Sequence, residues 1–151
     1  MSFASRTTTV FAVAFMALFM ATPAFGQLRI VNYNCARMGG DGPAFQQVLS
    51  AAHSDNKAGW AKPVDIFIFQ EVSASTVAEL QSLVNAAAPA GTTYSRATFT
   101  TSGTEDGAAG SQCAFYRVQT ISETTAAHAD IFTGASRNAD RWLFRLNGYN
   151  S

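Results

Sequence analysis

The chain has 151 residues, 48% of them hydrophobic and 12% aromatic, with ten cations balanced by ten acids. That apolar content is ample for a packed core and excludes a disordered chain, which needs low hydrophobicity and high net charge. The balanced charge argues against tight, nonspecific nucleic-acid binding, which draws on a basic surplus.

The first residues, "MSFASRTTTVFAVAFMALFMATPAFGQ", combine a cation at Arg6, an apolar run from Val10 to Met20, and small residues around Pro23. This is the layout of a secretory signal peptide, and the run is too short and too soon broken for a comfortable membrane span. Ala24 and Gly26 occupy the small-residue positions before a cleavage point at Gln27, so 1–26 is the expected presequence and 27–151 the mature domain. Its removal takes away Arg6 and no acid, leaving a formal charge of −1. The expected location is secreted or periplasmic, with no membrane span after cleavage.

"LRIVNYN" alternates and is rich in β-formers, so the first strand is predicted from Leu28 to Asn34. The glycines of "RMGGDGP" interrupt it. Pro43 can then open a helix with Phe45, Val48, Leu49 and Ala52 on one face. After a polar loop, "DIFIFQEVS" supplies a strand at Ile66 to Phe69, apolar on both faces and therefore central in its sheet. Thr76 with Glu79 matches a capping box, and Val77, Leu80, Leu83, Val84 and Ala87 form the stripe of a second helix. "TYSRATF", "QCAFYRV" and "RWLFRLNGY" read as further strands, with "SETTAAHADIFTGASRNAD" left unassigned between the last two.

Cys35 and Cys113 fall on or beside two of these strands, so a bridge requires the strands to be neighbours; free buried thiols are the alternative. No His lies in a motif beside either, which argues against a thiol nucleophile. Two β–helix–β passages followed by consecutive strands indicate an α/β layered domain with a mixed sheet.

The polar pair Gln70-Glu71 closing an apolar strand is ordinary wherever a strand emerges to solvent. What raises it above that reading is Asn34, which ends the first strand at the same edge if the two strands run parallel. Together, "VNYN", "PVDIFIFQEVS" and the later "GSQCAFYRV" resemble the endonuclease/exonuclease/phosphatase superfamily, the group of deoxyribonuclease I, sphingomyelinases and inositol-polyphosphate phosphatases. The likeness runs over nearly all of the mature chain, but only its Asn34 and Gln70-Glu71 elements are specific.

The resemblance implies a layered α-β-β-α sandwich of the deoxyribonuclease I-like type, incomplete in this chain, and a secreted metal-dependent phosphoesterase. It makes Asn34 and Glu71 the candidate catalytic and metal-binding residues, with Mg²⁺, or another divalent cation such as Ca²⁺ or Mn²⁺, as cofactor. Phosphate-ester hydrolysis must neutralise charge on phosphoryl oxygens, which a hard cation held by few carboxylates and several waters can do. In this reading Glu71 faces the cleft, Asn34 orients the phosphate or a metal-bound water, and Gln70 faces the opposite side as support.

The family completes its site with an Asp-Asn pair, a phosphate-bridging His and a final Ser-Asp-His. None of these has a counterpart here, so the chain is expected to represent an N-terminal part with negligible turnover alone. His53 and His128 lie in no matching motif and read as surface or packing residues. Ala36 stands where apurinic-site endonucleases carry an Asp, which disfavours that branch. There is no nucleophile elbow, dinucleotide fingerprint, phosphate-binding Lys loop, or Cys or His pair at zinc spacing. "MGGDG" reads as a turn at the cleft rim. Arg137, Arg141 and Arg145 are possible phosphate contacts, the last two on one face of a single predicted strand. The alternative is a noncatalytic extracellular domain with the same fold pattern. The substrate is a phosphate ester of unspecified class, and strong nucleic-acid affinity is not expected.

Overall fold

The computed structural model describes residues 28–36, 41–55, 62–99, 111–134 and 138–148. The expected presequence, Met38-Gly39-Gly40 of the first glycine loop, and Arg137 lie outside these. Four strands form the main sheet: β1 (Ile30–Asn34), β2 (Ile66–Val72), β3 (Tyr94–Arg96) and β4 (Ser111–Arg117), in the order β1-β2-β4-β3. β2 pairs in parallel with β1 and antiparallel with β4. Its central position explains the apolar run on both faces, as the sequence leads one to expect.

Register assigns the two faces. Phe67 and Phe69 lie opposite Val31 and Tyr33 on one side and Phe115 and Cys113 on the other, and all six share the face that the helices cover. Helices α1 (Gly42–Ser54) and α2 (Val77–Ala87) supply Leu49, Val77, Leu80, Val84 and Ala87 to the same core. Phe67, Phe69, Leu80 and Phe115 are completely buried, each stabilising the fold by about 1.5–3 kcal/mol through transfer alone. Val48, expected on the buried face of α1, is exposed; Leu49 is buried and Phe45 and Ala52 pack against the core as expected, and His53 joins them.

The Thr76–Glu79 capping box does not form. Thr76 takes a helical conformation and makes no side-chain cap bond; its hydroxyl instead donates to the Ser73 carbonyl and accepts from the Ser73 amide. That closes the turn leaving β2 rather than the helix end. Asn85 does comparable work at the other end of α2: its carboxamide accepts from Tyr94 N–H at 2.9 Å and donates to Tyr94 C=O at 3.1 Å, docking β3 as a neighbouring strand would.

"RWLFRLNGY" is not one strand. It divides into β7 (Ala139–Arg141) and β8 (Phe144–Leu146), which pair antiparallel with β6 (Ala129–Ile131) and β5 (Ile121–Glu123) respectively. Arg141 and Arg145 therefore belong to two different small sheets and share no stripe. Phe144 packs on Tyr116, ring centroids 5.6 Å apart, on the face of the main sheet away from the helices. Glu123 accepts from Thr98 N–H, and Trp142 donates to the Thr98 carbonyl. The architecture is mixed α/β, with two helices on one face of the main sheet and the short strands gathered in two small sheets. Among the described residues no helix is long and apolar enough to cross a membrane.

Both cysteines are free and buried. β2 lies between their strands, so the two Cα atoms are separated by about two strand spacings, roughly 9–10 Å, beyond the 4.4–6.8 Å a disulfide spans. Burial pushes the Cys35 thiol up to about 12, and burial, reinforced by Cys35, raises Cys113 as well. Native protein should therefore leave a thiol-reactive chromogenic disulfide essentially untouched, whereas denatured protein releases both equivalents. Rapid native labelling would contradict the packing described here.

Candidate functional site

The carboxyl ends of β1 and β2 meet at one edge of the sheet. Parallel register sets Asn34 beside Gln70, and Cys35 N–H continues the ladder to the Gln70 carbonyl at 2.9 Å. Asn32, Asn34 and Gln70 share the face away from the helices, and Gln70 donates to Asn32 Oδ1 at 3.3 Å.

Between Phe69 and Val72 the antiparallel register with β4 shifts by one residue: Phe69 opposes Cys113 and Val72 opposes Ser111. Gln70 and Glu71 together thus stand against Gln112, which is a β-bulge. Strict alternation would have turned Glu71 toward the helix-side core and Val72 away from it. The bulge instead turns Val72 into that core, where it is fully buried. Alternation no longer applies across an inserted residue, so it does not set Gln70 and Glu71 on opposite faces. Gln70, not Glu71, is Asn34's register partner, and Glu71, half-buried, lies one residue further along the same edge.

The backbone here is strained. Glu71 has φ 58° and Ala36 φ 45°, the two positive-φ residues other than glycine among those described. Each costs about 1–2 kcal/mol in the left-handed region, which a side chain with Cβ rarely adopts. Ala36 follows β1 and Glu71 is the penultimate residue of β2, so both strained residues occupy the edge where Asn34 and Gln70 lie. Ala36 N–H donates to Asn34 Oδ1 at 2.9 Å. That bond fixes the carboxamide with its oxygen directed back to its own chain and its NH₂ group as the end left for a ligand.

No protein-family model, curated protein or solved structure matches this chain. The chemistry of the site therefore rests on its own residues: one carboxylate on a bulge and three carboxamides beside it.

The opposite edge carries a different polar group. Asp65, 1% exposed, accepts from Arg29 N–H and Lys62 Nζ, both at 2.8 Å, from Arg117 at 2.5 Å and from the Thr120 hydroxyl at 3.0 Å. Burial alone would raise its pKa, but hydrogen bonds from Lys62, the Arg29 backbone and Arg117 outweigh that and hold it below the ordinary carboxylate value. His53 lies nearby with Nδ1 accepting from Val64 N–H at 3.1 Å. Burial, with the charges of Arg29 and Arg117, lowers its pKa to about 4, so it packs as a neutral ring. Six residues of strand, about 20 Å, separate this cluster from Glu71. Saturated with partners, it pins the start of β2 and offers no vacancy for a substrate.

Sequence reasoning passed over a third group. His128, Asp130 and Asp140 present ligand-type atoms all within 4.8 Å of one another. The signal was obscured because Asp140 is brought to the other two only by the β6–β7 pairing.

Proposed function

We propose that this chain carries the metal- and phosphate-holding edge of an exported, metal-dependent phosphoesterase of the endonuclease/exonuclease/phosphatase type, without that family's general base, with Glu71 as the metal-holding carboxylate and Asn34 as a phosphate-orienting amide. The observation that carries the reading is the strained bulge. A non-glycine residue held in the left-handed region persists only where the surroundings enforce it, and such residues cluster at ligand sites. Here the strained residue is the carboxylate that the family resemblance selects.

The donor set suits Mg²⁺, which takes one or two carboxylates and keeps several waters. Once bound, that cation would neutralise charge gathering on the phosphoryl oxygens. The chain's own contribution is positional. The bulge fixes Glu71 at the sheet edge, and the Asn34–Ala36 bond aims the Asn34 NH₂ group as a donor suited to a phosphate oxygen. Asn34 thereby fits a phosphate-binding role better than direct ligation, since its oxygen is already engaged. A fold with helices on both outer faces of two packed sheets belongs to the same reading.

Calorimetric titration with Mg²⁺ should give binding heat with the wild-type chain and none with Glu71→Ala. Hydrolysis of bis(p-nitrophenyl) phosphate should stay near background, because no residue of this sequence matches the family's Ser-Asp-His. Absence of Mg²⁺, Ca²⁺ and Mn²⁺ heat in the wild type, with no difference from Glu71→Ala, would favour a noncatalytic extracellular domain.

A further inference from the structure

We propose that His128, Asp130 and Asp140 form a second divalent-cation site, of the class that binds Zn²⁺, distinct from Glu71 and independent of the phosphoesterase reading. The first observation is register. Asp130 and Asp140 are directly opposed across the β6–β7 pair, an arrangement in which like charges are destabilising. Asp140's side chain is 5% exposed and Asp130's 24%, within a residue that is itself exposed, and the two carboxylates bring ligand atoms within 4.8 Å of each other and of His128.

The second observation is the imidazole. The His128 side chain is 8% exposed, and its Nε2 is buried without a hydrogen-bond partner among the described residues. It faces Asp130 Oδ1 at 3.5 Å and Asp140 Oδ1 at 3.9 Å. Both separations exceed the 2.7–3.2 Å of an N–H···O bond. They are close to the spacing of ligands around one ion: with metal–ligand distances of about 2.0–2.2 Å, tetrahedral donors lie roughly 3.3–3.6 Å apart. The imidazole Nε2 lies beyond hydrogen-bond length from either carboxylate but within ion-pair distance of both, and all three ligand atoms fall within 4.8 Å of one another.

The supports of the site are in place. The Trp142 ring lies 6.0 Å from the imidazole, and its Nε1 donates to the Thr98 carbonyl at 2.8 Å, fixing the wall against which His128 rests. Gln112 Nε2 donates to the Asn138 carbonyl, tying the start of β7 to β4. One imidazole and two carboxylates favour Zn²⁺ or a neighbouring transition metal over Mg²⁺. Three protein ligands leave a fourth position for water or a small anion.

The test uses the full chain and the metals alone. In a Glu71→Ala background, which removes the other proposed ligand, Zn²⁺ should bind at one equivalent and raise the melting temperature. His128→Gln and Asp130→Asn should each weaken binding by more than about 100-fold; Asp130 is the more exposed ligand, so that variant tests the site with least risk to folding. Co²⁺ should quench Trp142 fluorescence, and Trp142→Phe should remove the quench while leaving Zn²⁺ affinity within about tenfold. Absence of Zn²⁺ binding in the wild type, or equal binding in folded His128→Gln or Asp130→Asn, overturns the proposal.

Discussion

Asp65→Ala is expected to remove about 3–5 kcal/mol of stability, a large share of the 5–15 kcal/mol that holds a typical domain. The side chain is buried and receives four donors from three separate parts of the chain: Arg29, Lys62, and Arg117 with Thr120. Deleting it strands the guanidinium of Arg117, itself 15% exposed, which has no other carboxylate within ion-pair distance among the described residues. It also leaves the Arg29 N–H without its acceptor and the Thr120 hydroxyl with only the long 3.4 Å contact to the Arg117 carbonyl. An exposed ion pair would contribute less than about 1 kcal/mol, so the size of the loss separates a buried pin from a screened surface contact. Urea unfolding of the two proteins measures the difference directly; a change below about 1 kcal/mol would refute the assignment.

The same carboxylate sets the direction of a pH effect. Its folded pKa lies below the ordinary unfolded value, near 3.9. Its stabilisation is therefore fully present above about pH 4 and is lost as pH falls through the lower, folded pKa. Between neutrality and that window Asp65 contributes no slope. Asp65→Asn should flatten the acid limb of a stability profile as well as lowering the plateau.

How much of this was legible in the sequence depends on whether local periodicity or partner choice decided the outcome. β2 and α2 were readable because Phe67 and Phe69 alternate along a central strand while Val77, Leu80, Val84 and Ala87 recur every three to four residues on one buried helix face. The small sheets were not. Trp142, Phe144 and Leu146 alternate as one strand would, yet Arg141 and Phe144 answer to different partners, Ala129 and Glu123, and the strand breaks between them. Strands of three residues are set by pairing, which sequence alternation does not encode.

The candidate site divides along the same line. Asn34 and Glu71 were identifiable, and parallel pairing does bring their strands to one edge. The bulge was not, since its left-handed position carries glutamate where glycine would have signalled it. Asp140 was invisible as a neighbour of His128 for a similar reason, because no motif spacing spans a hairpin whose register is unknown.

Glu71→Gly supplies the second large effect and separates a residue kept for function from one kept for the fold. Glycine adopts φ 58° without the Cβ clash that costs glutamate about 1–2 kcal/mol. Against that gain stands about 0.4–1 kcal/mol for the greater freedom glycine gives the unfolded chain. Glu71→Ala keeps the clash and loses only the carboxylate. The glycine variant should therefore be the more stable of the two by about 1 kcal/mol, or about 4 °C in Tm for a domain of this size. Both should lose the heat of Mg²⁺ binding entirely. A strained residue that can be relaxed at no cost in stability, but only by abolishing ligand binding, is held in place by what it binds. If glycine proves less stable than alanine, the bulge is instead a requirement of packing, the slot that Val72 fills in the core being its reason.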